Sequence, residues 1–167
     1  MTTMIGIIAA LMFTDGQSSN APAKAPSVIF VCEHGAAKSV IATAYFNKLA
    51  AERGLPYRAT FRGTNPEEAL SASAVAGLRA DGVPIPSGQP TAIAADDIAR
   101  ATHIFAIGCT LPTTAISSGK SADWTDVPEG KGYPATRNAI VTHVKQLLDD
   151  LQGGSKQNQF QIIWRRR

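Results

Sequence analysis

Cys32 and the pair Lys38-Ser39 are the residues of this 167-residue chain whose types and spacing could do chemistry together. They bracket a loop of small residues in the stretch VIFVCEHGAAKSVI, residues 28–41. A short apolar run ends at the cysteine, and Lys38-Ser39 opens a helix. Such a strand–loop–helix junction makes an anion site, because loop N–H groups point inward and the helix dipole favours negative charge. Two chemistries use it. One is the nucleotide-binding loop G-x-x-x-x-G-K-[ST]. Lys38-Ser39 meets that pattern, but Cys32 stands for its first glycine and Ala37 for its second. The apolar strand expected at 103–107 also ends in Gly108-Cys109 rather than in an aspartate that could serve a metal. The other chemistry places a thiol at the foot of the loop, where a helix N-terminus keeps thiolates nucleophilic. It needs a cation at the far end, and Lys38 lies six positions after Cys32. The Ser39 hydroxyl follows, placed to support the thiolate.

Elements must hold these groups in place. Ser27–Cys32, rich in Val and Ile, predicts a buried strand. Ser39–Arg53 predicts a helix with Val40, Ile41, Ala44, Tyr45 and Leu49 on one face and Gly54 as its stop. Tyr57–Arg62 alternates like a strand, and Ala72–Ala80 is helical, ending at Asp81-Gly82. Asp96–Ala101 predicts a short helix, and His103–Ile107 an apolar strand ending at Gly108-Cys109. A turn-rich stretch, Thr110–Pro134, precedes the clearest helix, Ala135–Leu151, whose Ile140, Val141, Val144, Leu147, Leu148 and Leu151 form one stripe. Alternating strands and helices argue an α/β domain with a parallel sheet covered on both faces. Ligands of such sheets bind beyond the carboxyl ends of the strands. Those ends are Cys32, Arg62-Gly63-Thr64 and Gly108-Cys109, so both cysteines fall at the functional edge.

Residues 26–152 carry this alternation and read as one domain, between an N-terminal segment 1–25 and a flexible basic tail 153–167 that begins at Gly153-Gly154-Ser155. A hydrophobic content of 44% and a charged content of 17% describe an ordinary globular protein. The net charge of +3 does not argue for nucleic acid. Lys156, Arg165, Arg166 and Arg167 lie in the tail, and without these four the chain has 12 basic against 13 acidic residues. A solvated basic tail accounts for the excess. Met4–Phe13 is apolar but too short to span a bilayer. With the small residues Ala21, Ala23 and Ala25 after it, the segment resembles a secretory signal peptide lacking the usual basic start. Export, periplasmic or secreted, is the expectation; a frayed extension or an early start codon would leave the protein cytoplasmic. Three histidines and two cysteines give no metal-ligand spacing, and no cofactor is implied.

The stretch VCEHGAAKS resembles the loop of the low-molecular-weight protein tyrosine phosphatases and of the thiol-dependent arsenate reductases that share their fold. Their motif is C-x5-R-S, directly after the first strand, and Lys38 stands where Arg is usual. Arg62-Gly63-Thr64 sits where the family usually reads Ser-Ala-Gly-Thr. Ile107-Gly108-Cys109 resembles the Met-Gly-Cys of the reductases, in which a Trp also precedes the acid-bearing segment, as Trp124 does here. The resemblance covers about residues 26–152. It implies a three-layer doubly wound sandwich with a four-stranded parallel sheet, phosphotyrosine protein phosphatase I-like. It also implies catalytic roles for Cys32, Lys38 and Ser39, with Glu33, His34, Gly35, Ala36 and Ala37 around the oxyanion. The leaving-group acid it implies is Asp126, with Asp123 in reserve, although Val127 separates Asp126 from Pro128.

Three functions follow as expectations. The first is a phosphate-monoester hydrolase, phosphotyrosine-type, in which Cys32 forms a thiophosphoryl intermediate and the partner is a phosphorylated protein or small molecule. A lysine is a point charge where a guanidinium would grip two phosphoryl oxygens, so Arg62, at the end of the neighbouring strand, is expected to supply the missing fork. The second is an arsenate reductase in which Cys109 attacks the Cys32–arsenic adduct. Residues 110–114 hold no further cysteine, so an external thiol would complete that relay. The third is an oxyanion-binding module with weak or lost catalysis. His34 is a candidate hydrogen-bond partner of thiolate or substrate, while His103 and His143 read as structural.

Overall fold

The computed structural model describes the backbone of residues 26–164 and the side chains as far as residue 154. The signal-like reading of residues 1–25 lies outside them. Nine elements follow in chain order: β1 (Ser27–Cys32), α1 (Lys38–Glu52), β2 (Arg58–Gly63), α2 (Ala72–Ala80), α3 (Ala95–Arg100), β3 (Ala101–Ala106), α4 (Thr113–Ser117), β4 (Ser121–Asp123) and α5 (Gly132–Trp164). The strands form one parallel sheet in the order β2-β1-β3-β4. Among the described residues no helix is long and apolar enough to cross a membrane.

β1 lies inside the sheet with a strand on each side, which is why SVIFVC is buried almost throughout rather than alternating. Its side chains still alternate between layers. Val28, Phe30 and Cys32 face the layer of α1, α2 and α5, where Phe46, Leu78 and Ile140 complete the larger core. Ile29 and Val31 face Ile98 of α3, Ala115 of α4 and Leu111 in a smaller one. Three layers result, as the resemblance implied. α1 is buried nearly all round, and its end is fixed by the chain itself: Gly54 turns with φ +66°, and Leu55 N donates to Ala50 O at 2.9 Å.

The free border of β2 is occupied. The Asn47 carboxamide bonds both the N–H and the C=O of Ala59, at 2.8 and 3.0 Å, and Gly63 bridges to Ala92. On the other border β4 has only three residues.

Two departures from the sequence reading have local causes. The turn-rich stretch hides α4 and β4, because Ser-Ala-Asp is too short and polar to announce a strand. It becomes one by pairing Ser121, Ala122 and Asp123 with Ile104, Phe105 and Ala106. The last helix also begins earlier, at Gly132, and continues past Gly153-Gly154 to Trp164. Each helical glycine costs about 1 kcal/mol relative to alanine, a penalty rather than a stop.

Candidate active site

The loop after β1 is held from outside. The carbonyls of Cys32, Glu33, His34 and Ala36 accept from the amides of Thr64, Asn65, Glu67 and Ser71, at 3.2, 2.8, 3.0 and 2.9 Å. With the carbonyls drawn away, the amides face the other way. Among the described residues no hydrogen bond is donated by the backbone N–H groups of residues 33–38. The N-terminus of α1 has no side-chain cap either, so its open donors join the same cradle. Gly35 makes the reversal with φ +63°. A Cβ there would lie 2.8 Å from Gly63 N, so loop and strand end meet backbone to backbone.

Cys32 sits at the floor, 2% exposed, with its Sγ 3.2 Å from Ser39 Oγ. Ser39 is fully buried. Above them opens a cavity of about 440 Å³ whose walls include Lys38, Ala74, Glu129 and Tyr133. Lys38 Nζ donates to Glu129 Oε1 and lies over Gly108, where a Cβ would come within 2.8 Å of it. Glu33 and His34 are exposed. His34 Nδ1 is 3.9 Å from Glu67 Oε1 and makes no bond to the thiol. Ala37 lines the cavity, and Ala36 is buried. Among the described residues no cluster could hold a metal.

The family model for low molecular weight phosphotyrosine protein phosphatases matches residues 27–122, more than half of the chain. This chain belongs to that family. Among curated proteins none matches it in sequence. Among solved structures, YfkJ from Bacillus subtilis superposes with a TM-score of 0.70 at 21% identity, over 77% of this chain and 96% of that one. The low molecular weight protein tyrosine phosphatase from T. tengcongensis gives 0.63 at 21% identity, over 77% and 99%. The arsenate reductase from Archaeoglobus fulgidus gives 0.57 at 26% identity, over 73% and 98%. The family is one of phosphatases and these neighbours include an arsenate reductase, the two kinds of enzyme that the sequence resembles.

Two residues expected at the site of this phosphatase-family chain are elsewhere. Arg62 does not reach the cradle. Strand alternation sends its side chain to the α3 face of the sheet, away from Cys32. There Nε and Nη2 donate to Asp97 Oδ2 and Oδ1 at 2.8 and 2.9 Å, and Nη1 donates to Phe61 O at 2.8 Å. Arg62 holds Asp97 below the usual carboxylate range. A depressed carboxyl stabilises the fold above its unfolded value near 3.8 and loses that contribution as pH falls through the folded one. Asp97→Asn should therefore cost about 1–3 kcal/mol at neutral pH, read by urea unfolding. Its stability should then fall less than the parent's as pH drops below about 4, where the parent begins to lose this contribution.

Asp126 is not on the cavity wall. Its Oδ1 lies 2.7 Å from His143 Nε2, and the His143 ring stacks on buried Trp124 with centroids 4.7 Å apart. Trp124, packed against Phe30 and Phe105, turns the following residues toward α5. The His143 hydrogen bond keeps the Asp126 carboxyl low. Asp123, the reserve, ends β4 and is not part of the cavity wall.

Cys109 stands three residues beyond the end of β3, half-buried. Its Sγ is 3.5 Å from Val31 O, and it packs against the smaller core. Both cysteines are free thiols, and burial pushes the Cys109 thiol up.

Sequence reasoning missed Glu129 and Tyr133. The Tyr133 hydroxyl donates to Asp81 Oδ2 at 2.7 Å, and Tyr45 donates to the same oxygen at 2.6 Å. Together they hold Asp81 low, while burial drives the Tyr133 phenol strongly upward. The Tyr133 ring lies where Gly77 would carry a Cβ, within 2.4 Å. In an open helix Gly→Ala gains about 1 kcal/mol. Gly77→Ala should instead cost about 1–3 kcal/mol by overpacking and raise KM for aryl phosphates; a thermal shift upward would contradict this. The turn Pro128-Glu129-Gly130 ahead of Tyr133 was the available signal.

Proposed function

We propose that this protein is a cysteine-dependent phosphate-monoester hydrolase of the phosphotyrosine type. The observation that carries the reading is the buried Cys32 thiol below the unspent amides of residues 33–38. Cys32 Sγ attacks phosphorus as the P–O bond to the leaving group breaks, giving a thiophosphoryl enzyme. The amides and Lys38 hold the phosphoryl oxygens in a site built for charge, and Ser39 Oγ, at 3.2 Å from Sγ, stabilises the thiolate when it departs. Water then attacks phosphorus, phosphate leaves and the thiolate is restored. Tyr133 on the cavity wall suits an aryl leaving group. The test is release of p-nitrophenol from p-nitrophenyl phosphate and of phosphate from a phosphotyrosine peptide. Activity on neither, with folded protein, would sink the reading.

A second reading, arsenate reduction, is favoured by Cys109, whose Sγ approaches the carbonyl of the residue before Cys32. Cys32 would take up arsenate with loss of water. Cys109 would then attack Sγ, forming the disulfide as As(V) becomes As(III), and an external thiol would reduce the disulfide. The half-buried, raised thiol of Cys109 works against that attack at neutral pH. Arsenate-dependent loss of two free thiols per chain is the discriminating measurement, one loss for each cysteine the chain has.

A further inference from the structure

We propose that Glu129 donates the proton to the leaving oxygen, and that it becomes available only when a bound oxyanion takes Lys38 away from it. The proposal rests on the hydrolase reading above. A general acid must stand at the mouth, across from the nucleophile, where in-line displacement sends the leaving group. Two carboxylates border the cavity, Glu33 and Glu129. Glu33 follows the nucleophile directly, on the floor loop itself. Glu129 comes from the separate segment before α5 and lines the cavity wall, where its carboxylate holds the Lys38 ammonium.

In the free enzyme that contact keeps Glu129 ionised, its carboxyl lowered chiefly by the Lys38 hydrogen bond. An incoming phosphoryl group competes for the same cation. Lys38 is 16% exposed and Glu129 is 73% exposed, so the cation is committed to the cradle and the carboxylate is the movable partner. When Lys38 turns to the phosphoryl oxygens, Glu129 loses its donor and faces a new anion. Both changes favour the protonated carboxyl. It takes its proton from the substrate monoanion or from solvent. As the S–P bond forms and the P–O bond breaks, that proton passes to the leaving oxygen. In the second half the Glu129 carboxylate accepts a proton from the attacking water while the S–P bond breaks.

This exchange gives a reason for lysine at the loop's end. A guanidinium would stay forked on the oxyanion, whereas an ammonium on a flexible stem can serve two anions in turn. Gly108 leaves the space in which it does so.

The test compares Glu129→Gln and Asp126→Asn with the parent on p-nitrophenyl phosphate, on phenyl phosphate and in inhibition by inorganic phosphate. Phenolate is much the more basic leaving group and depends more on an acid. For Glu129→Gln the expected kcat loss is about 100-fold on phenyl phosphate and several-fold at most on p-nitrophenyl phosphate. Inorganic phosphate should bind that variant several-fold more tightly, because Lys38 no longer has to be released. Asp126→Asn should follow the parent on both esters. A parent active on both esters, with Glu129→Gln matching it or losing equally on both, overturns the proposal alone. A parent active on neither overturns the hydrolase reading, and this proposal with it.

Discussion

Replacing Cys32 by serine is expected to lower p-nitrophenyl phosphate turnover by at least about 10⁴-fold, the scale on which loss of a nucleophile acts. Inorganic phosphate should still bind. The two effects separate because they come from different atoms. Turnover needs an anionic sulfur, and a serine hydroxyl there would have as its side-chain partner the Ser39 hydroxyl, 3.2 Å from the present sulfur, which is not a base. Binding relies on the amides of residues 33–38 and on Lys38, which the substitution leaves in place. Oxygen is smaller than sulfur and can share a hydrogen bond with Ser39, so the fold should persist. Calorimetric titration with phosphate beside the colorimetric assay reads both quantities. More than about a tenth of parental turnover remaining would remove Cys32 from the nucleophile's role, a far smaller loss than the scale quoted.

Gly35→Ala should damage both stability and binding. Its φ of +63° disfavours any Cβ, at about 1–2 kcal/mol. That Cβ would also strike Gly63 N at 2.8 Å, and backbone cannot rotate aside as a side chain can. Overpacking adds about 1–3 kcal/mol. Gly54→Ala is the control: its φ is +66°, but nothing lies within 4 Å of its Cβ. It should lose the backbone term alone and keep phosphate affinity. Gly35→Ala should lose more stability and at least ~10-fold in affinity, since a loop displaced by a few tenths of an ångström mis-aims its donors. Equal urea midpoints and equal phosphate affinities for the two variants would mean that the Gly35–Gly63 contact does not set the cradle.

The parts of the site that proved readable in sequence are local in the chain. Cys32, the small loop residues and Lys38-Ser39 occupy one strand–loop–helix passage, and the same residues form the cradle. β1, α1 and α2 were legible because apolar patterning and turn glycines mark them directly. What was illegible depended on register or on distant packing. Arg62 neighbours Gly63, which touches the loop, yet a one-residue change of parity on β2 places its guanidinium on the opposite face with Asp97. Asp126 is singled out by the resemblance, through its closeness to Pro128. Its direction is set by Trp124, seated against Phe30 and Phe105, and by His143 on α5. Glu129 reaches Lys38 across 91 positions of chain, a distance that no local pattern spans. β4 exists only through its pairing with β3.

The closed borders of the sheet have a colloidal consequence. A parallel sheet of four strands has two margins at which another molecule could add a strand and begin a fibril. On one, Asn47 occupies both backbone groups of Ala59, and Ala92 bridges Gly63. On the other, β4 offers three residues. Neither margin leaves a long continuous row of open amides and carbonyls, so the folded molecule resists edge-to-edge growth.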